Sequence, residues 1–375
     1  MKILFFYNSL AMKAGIERTL TDKANYLAEH GHDVSFVTYE QGNHPISFPL
    51  FHTIKHVDLD CRAFSLFRHS LVRRIYETIK LKRKFDKKWK SVVFQIKPDV
   101  IVTTTNSAIF IPELMSVHSQ FPIIIESHVA YTVQKGNNSF LKSMLWKHRL
   151  SVYRKCSLFV ALTEGDAACW RKYLHQVCKV DNPVTCYIND PFKEKRVAGR
   201  IISVGRMNNT QKRFDRLIDA FAAISSKYPN WHVDIFGEGN LQNTLEQQIE
   251  RLGLKDKIII HQPSSNIYDE YLCSELYVMS SDYEGFGLVL VEAMACGVPV
   301  ISTDCPFGPS EIIEDGVTGL LAKMDVSDLA NKIEWMITHP EKLKSMGVKA
   351  HESAAKYQLE NVMPKWEAVY KSVLR

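Results

Sequence analysis

Residues 280–301, SSDYEGFGLVLVEAMACGVPVI, govern how the rest of the chain is read. They parse as a loop, one short helix and a strand. Gly285 and Gly287 let the backbone pass close to a ligand. A helix is predicted from about 287 to 296, and Gly297 with Pro299 ends it and starts a strand over 298–303. That helix is apolar almost all round except for Glu292, and a buried carboxylate needs a partner. The free N–H groups of Phe286, Gly287 and Leu288 open the helix, where an anion such as a diphosphate is favoured. Such a site offers a carboxylate (Glu284) beside a sugar, amides beside a phosphate, and a second carboxylate for a pair of hydroxyls. Taken alone, the two glutamates fit a buried Glu paired with a basic residue under a core helix equally well.

Working outward, 375 residues suit two domains, each able to bury its own core. The apolar fraction of 46% is ordinary for a soluble protein, and no run is long enough to span a bilayer. The apolar stretch 3–7 is too short for a secretory signal, with Asn8-Ser9 next, and reads as a first buried strand. The eight cysteines show neither a C-x-x-C pair nor metal-ligand spacing with histidines. Buried thiols in a reducing cytoplasm are expected, without zinc or disulfides.

The net charge of +6 conceals a split. Residues 1–180 hold 26 Lys/Arg against 14 Asp/Glu, the remainder 21 against 27, so the halves carry +12 and −6. One half is thus expected to meet an anionic surface or ligand. The charge concentrates in 68–90: Arg68, Arg73, Arg74, Lys80, Lys82, Arg83, Lys84, Lys87, Lys88 and Lys90 against only Glu77 and Asp86. Leu71, Ile75, Ile79, Phe85 and Trp89 recur there at helical spacing and face the core or a membrane. Inward packing with a shallow exposed edge is expected of the first three. A solvated basic face is the alternative.

Along the N-terminal half, a strand over 2–7, a loop to Gly15, a helix over 16–29 and a strand over 34–39 open a right-handed parallel sheet. Gly15 supplies one flexible loop position. Strands over 99–104 and 123–126 follow, the second running into Glu126-Ser127-His128, and ligand groups in such sheets sit at carboxyl ends of strands. A strand over 157–162 precedes a helix from about 165 to 174. The pattern breaks near 181–198, and strands over 201–203, 233–236, 258–261, 276–279 and 298–302 alternate with helices in a second doubly wound domain. The expected limits are 1–182, a linker 183–198, and 199–357, with a last helix 358–375 crossing back. The lone D-x-D, Asp58-Leu59-Asp60, reads as surface residues around a strand end.

Glu284 and Glu292, separated by seven residues, resemble the E-x7-E motif of family 4 glycosyltransferases. The likeness continues through DCPFGPSEII at 304–313 and DGVTGLL at 315–321, and covers nearly the whole chain. It implies an α/β, GT-B architecture: two Rossmann-like domains facing each other across a cleft, housing a retaining, metal-independent transferase. It further implies that Glu292 takes ribose hydroxyls, that Arg206 and Lys212 take the diphosphate, and that Glu284 with the 286–288 amides holds the sugar opposite His128. Arg213 stands where many members carry glycine, as a spectator. The loop at Gly15 resembles the family's glycine pair, with Ala14 in place of the first. Gly237 and 262–267, from Gln262 to Ile267, complete the nucleotide cleft. The 304–313 stretch is most similar to members using UDP-linked galactose, glucose or their N-acetylamino forms. Members that elongate glycans on a polyprenyl diphosphate carry a comparable basic helix. Those likenesses imply a nucleotide sugar and a lipid-linked glycan as partners, at the cytoplasmic face of the plasma membrane, with no cofactor, metal or nucleic acid. A nucleotide-sugar epimerase is the rival within enzymes. Outside them, the rival is a nucleic-acid or membrane binder built on a degenerate scaffold.

Overall fold

The computed structural model describes residues 1–63, 70–105, 110–135, 140–193, 196–264 and 266–374. They form two units: Met1–Pro183 with Val362–Arg375, and Val184–Asn361.

The first unit holds β1 (Lys2–Tyr7), β2 (Asp33–Thr38), β3 (Lys55–Asp58), β4 (Val100–Thr104), β5 (Ile123–Ser127), β6 (Leu158–Ala161) and β7 (Val177–Lys179). All pair in parallel, in the order β3-β2-β1-β4-β5-β6-β7. The inner strands are near-continuous apolar runs, because helices cover both faces of such a sheet. The helix Leu71–Ile96 is anchored through its second half. There Phe85 and Trp89 are fully buried, Phe85 stacks on Phe110 with centroids 4.3 Å apart, and the Trp89 indole donates to the Leu114 carbonyl at 3.2 Å.

In the second unit β8 (Arg200–Val204), β9 (His232–Phe236), β10 (Ile258–His261), β11 (Leu276–Met279), β12 (Val300–Thr303) and β13 (Gly319–Ala322) run parallel in the order β10-β9-β8-β11-β12-β13. Its core gathers Ile201, Ile235, Val278 and Ile301 from the sheet with Leu217, Phe221, Ile249, Leu329 and Ile333 from the helices. Both units thus reverse strand order between their first and fourth strands, and ligands of open α/β sheets bind outside that switch point.

Four expectations need revision. Strands β3, β7 and β13 went unread; each is an outermost strand of three or four residues. The segment read as a linker from its prolines and charges is bonded into the second unit. Val184 N–H donates to the Tyr357 carbonyl, Val197 N–H to Cys273, and the Arg196 guanidinium to carbonyls of Ser274, Cys296 and Gly297. Those of Cys296 and Gly297 follow a helix, where a cation is favoured. Ile75 and Ile79 do not pack inward: they are 57% and 48% exposed, beside Tyr76 at 65%. Gly15 is the first residue of the helix Gly15–Glu29 and is not among the positive-φ glycines, so its flexibility is not used.

Candidate functional site

At the switch point of the second sheet, the loop after β8 is laced to the loop after β11. Asp282 N–H donates to the Gln211 carbonyl at 2.9 Å, and the Gln211 amide donates to the Tyr283 carbonyl at 3.0 Å. Arg216 joins Ser280 O at 2.8 Å and Asp282 Oδ1 at 2.6 Å. Arg213 lies in the left-handed region at φ 48°, where a glycine is at ease. Its guanidinium is held by Asp215 and Asp282, which raises its pKa further, chiefly through the Asp215 hydrogen bond. Arg213 therefore ties the loops together.

Inside this frame the Lys212 ammonium sits 2.8 Å from Glu284 Oε1, which also accepts from the Ser281 hydroxyl at 2.6 Å. Ser281 in turn offers its carbonyl to Thr303 Oγ1 at 2.6 Å. Glu284 is 6% exposed, and Lys212 gives this buried carboxylate its ion-pair partner. Arg206 is exposed and makes no hydrogen bond or ion pair with a described residue, a cation left for an external anion.

The glycines build the walls. A Cβ on Gly237 would stand 1.9 Å from the Gly205 carbonyl oxygen, and one on Gly239 2.3 Å from the Met207 carbonyl carbon. Gly205 and Met207 N–H groups donate to the Phe236 and Glu238 carbonyls. Gly237 therefore seats the Arg206 loop against the β9 loop. Gln262 is exposed just past β10, and Ile267 opens the helix Ile267–Leu272.

The helix Leu288–Ala295 begins after Gly287, at φ 97°, and buries Leu290 through Ala295. Phe286 packs edge-on against Tyr357, 5.7 Å between centroids. Gly308 presses on the Phe286 carbonyl, where a Cβ would stand 2.0 Å away. Glu292, 7% exposed, accepts from the Tyr271 hydroxyl at 3.3 Å. Burial first, then the Glu292 charge, pushes the Tyr271 hydroxyl well above its usual pKa, so it stays a donor.

In the first unit, the carboxyl end of β5 carries Glu126 and His128, with His128 Nε2 2.9 Å from Glu126 Oε2. Asn8 Oδ1 and Thr105 Oγ1, buried just past the adjacent strands β1 and β4, have no hydrogen-bond partner among the described residues. Two residues escaped the sequence reading. Glu126 was seen only as part of a strand end. Lys23, fully buried against it, sits on the stripe Leu20-Lys23-Ala24-Leu27, and a lysine at core spacing was the available signal.

The basic stretch divides. Lys82 pairs with Glu113 at 2.8 Å, Lys84 and Lys88 donate to the Asp60 and Leu59 carbonyls at 2.6 and 2.7 Å, and Lys90 pairs with Asp86 at 2.8 Å. Arg73, Arg74, Lys80, Arg83 and Lys87 are exposed. Arg68 lies outside the described residues, as do the side-chain surroundings of Leu71. Asp58 Oδ1 and Oδ2 accept from the Gln41 and Gly42 amides, and exposed Asp60 pairs with Arg62. Among the described residues no group of three or more His, Cys, Asp or Glu could hold a metal ion.

Two parallel, doubly wound units with ligand-ready loops at each switch point define a GT-B α/β protein. Residues 190–353 match the family described as glycosyl transferases group 1, and residues 14–186 match glycosyltransferase family 4. The chain belongs to glycosyltransferase family 4. An uncharacterized glycosyltransferase of Haemophilus influenzae is 26% identical, over 98% of this chain and 99% of its own. A Campylobacter jejuni enzyme is 25% identical over 98% of this chain and 97% of its own. Its name is GalNAc-alpha-(1->4)-GalNAc-alpha-(1->3)-diNAcBac-PP-undecaprenol alpha-1,4-N-acetyl-D-galactosaminyltransferase. The fold matches Staphylococcus aureus TarM, solved with UDP and alpha-GlcNAc-glycerol, at a TM-score of 0.81 and 16% identity, covering 98% and 99% of the two chains.

Proposed function

We propose that this glycosyltransferase moves a hexose or N-acetylhexosamine from a UDP-linked donor to a lipid-linked glycan, with retention and without a metal, in polysaccharide assembly. The observation that carries the reading is the Lys212–Glu284 pair, held by laced loops at the switch point of the second sheet beside unpaired Arg206. Breaking the sugar–phosphate bond leaves charge on the departing diphosphate. Arg206, with Lys212 held by Glu284, stabilises it in place of a divalent cation. Glu292, already oriented by Tyr271, takes the ribose hydroxyls, and the amides of Phe286, Gly287 and Leu288 hold the sugar with Glu284. Gly237, Gln262 and Ile267 shape the nucleotide's seat. The acceptor hydroxyl attacks the anomeric carbon on the face the diphosphate leaves, and its proton passes to the departing phosphate oxygen. The Campylobacter relative's name and the UDP bound to TarM support the acceptor and donor classes.

The exposed stripe of the Leu71–Ile96 helix supports a membrane-surface role. Ile75, Ile79, Arg83 and Lys87 recur every fourth residue, with Tyr76 and Lys80 alongside. Cations of this kind contribute about 1 kcal/mol each near an anionic leaflet. Among the described residues no helix is long and apolar enough to cross a membrane.

The test is a thermal-shift screen against UDP-, GDP- and ADP-sugars, followed by NMR of the product's anomeric centre. A donor at 100 times its Kd adds about 2.7 kcal/mol of stability. Stabilisation by UDP-sugars and an α-linked product from an α-linked donor are expected. An inverted product, or donor turned into an epimer without acceptor, overturns the reading.

A further inference from the structure

The first half of the chain holds a second basic run. Between residues 127 and 163 stand Lys135, Lys142, Lys147, Arg149, Arg154 and Lys155, without a single Asp or Glu. The helix Phe140–Tyr153 lies at its centre. Trp146, Leu150 and Tyr153 recur at i, i+4 and i+7 and are buried, which fixes the stripe that faces the core. Met144 comes two residues before Trp146, roughly 200° round the helix, so it points away from that stripe. It is 55% exposed, and its neighbour Leu145 is 60% exposed. Lys147 and His148 are exposed beside them, as are Val133 and Lys135 on the short helix Tyr131–Lys135.

Single apolar side chains in solvent are ordinary. What singles out this pair is where it lies relative to Ile75, Tyr76 and Ile79. Phe6 on β1, Thr103 on β4, Ile125 on β5 and Phe159 on β6 are register partners in turn, so they share one face of the first sheet. Trp89 packs on Phe6 with ring centroids 5.0 Å apart, and Tyr153 packs on Phe159 at 5.5 Å. The helices Leu71–Ile96 and Phe140–Tyr153 therefore cover the same face. Each leaves the carboxyl end of one parallel strand and returns to the amino end of the next, so both start at the carboxyl edge. Ile75, Tyr76 and Ile79 lie in the first half of one helix, Met144 and Leu145 in the first half of the other. Two exposed apolar groups, each with cations around it, thus flank one edge of one layer. At that same edge β5 runs into His128.

We infer that the helix Phe140–Tyr153 is a second membrane contact: Met144 and Leu145 enter the headgroup boundary of an anionic bilayer alongside Ile75, Tyr76 and Ile79. The first unit then rests on the membrane at two points along the carboxyl edge of its sheet. This rests on the membrane-surface reading of the Leu71–Ile96 helix. Charge selects the occupant, because a run of six cations without an acid matches a surface of one sign. Long basic side chains reach the lipid phosphates while the aliphatic ones go deeper. Two separated contacts also resist the rocking that a single helix allows, and so hold the carboxyl edge at a fixed height over the bilayer.

The experiment measures sedimentation of the full chain with vesicles of phosphatidylglycerol and phosphatidylcholine, and of phosphatidylcholine alone, at low and high salt. Both residues are exposed, so Met144→Gln/Leu145→Gln keeps the fold, and an unchanged melting temperature checks this. That variant should bind the mixed vesicles about tenfold more weakly than wild type. The deficit should persist at high salt, because apolar burial is not screened. Met144→Phe/Leu145→Phe should bind at least as tightly as wild type. Arg73→Gln/Arg74→Gln/Lys80→Gln should lose affinity chiefly at low salt. Wild-type affinity in Met144→Gln/Leu145→Gln, with loss in the three-cation variant, overturns this inference and leaves the reading of the Leu71–Ile96 helix standing. Loss in the former with none in the latter removes the Leu71–Ile96 contact and with it the two-point support. A wild type that binds neither vesicle, and elutes as a dimer that the Met144 and Leu145 substitutions dissociate, assigns the patch to a second copy of this chain and overturns both.

Discussion

Glu284 and Glu292 share a motif but stand in different surroundings, and the difference predicts how each fails. Glu284 is bonded to Lys212 and Ser281, so Glu284→Gln breaks an ion pair at the reacting end. Glu292 accepts from the Tyr271 hydroxyl and in our reading touches the ribose in ground and transition states alike. Steady-state kinetics should therefore show Glu292→Ala raising donor KM tenfold or more, about 1.4 kcal/mol, with kcat little changed. Glu284→Gln should lower kcat by a factor of roughly 10². Equal loss in kcat for both would contradict that division. The motif made both carboxylates legible, since their spacing spans one loop and one helix. Asp282 and Arg216 were not legible, because their roles depend on loops brought together from 66 residues apart. Lys23 was hidden by the ordinary rule that lysines on amphipathic helices face water.

Among the elements, the paired loops after β8 and β9 have no slack. Gly237→Ala sets a methyl 1.9 Å from the Gly205 carbonyl oxygen, and backbone must move. Thermal or urea denaturation should register a loss of about 1–3 kcal/mol, and UDP affinity should fall with the displaced Arg206. An unchanged midpoint and affinity would show that the loops yield freely. The helix Leu71–Ile96 divides along its length. Its composition announced basic character, yet composition could not tell cations that hold the helix in place from those that face solvent. Lys82, Lys84, Lys88 and Lys90 hold it. The informative substitution is therefore Arg73, Arg74, Lys80, Arg83 and Lys87 to Gln, assayed by sedimentation with anionic and neutral vesicles. Wild type should prefer anionic vesicles, an advantage lost in the variant and at high salt. Equal binding of wild type to both lipids would leave a solvated basic face.

For the whole molecule, three histidines at least partly enclosed contribute to the loss of stability in acid. His32, His56 and His351 all have pKa values lowered from 6.5, in each case first by burial. His351 stacks on Tyr187 at 4.4 Å and its Nδ1 meets the Ala295 carbonyl at 3.0 Å. Below about pH 6.5 the unfolded chain takes up these protons before the folded one, so stability falls as pH falls through that window. Melting temperature should decline between pH 7 and 5, and His351→Gln should flatten part of the decline. A profile unmoved by that variant would assign the acid limit elsewhere. The alternation of apolar runs with helical stretches, with 181–198 as its break, let both sheets be read from sequence. Three edge strands, β3, β7 and β13, went unread, whereas β10, an edge strand of four residues, was marked by its apolar run Ile258-Ile259-Ile260. The binding role of 181–198 escaped because Arg196 finds its partners about a hundred residues away.

The central claim is that the second unit binds a nucleoside diphosphate through Arg206, Lys212 and Glu292 without a metal. Calorimetric titration of UDP into the chain in EDTA tests it most directly. We predict binding in EDTA, weakened tenfold or more in Arg206→Ala, Lys212→Ala and Glu292→Ala alike. Binding that vanishes in EDTA and returns with manganese, or that survives all three substitutions unchanged, would contradict it.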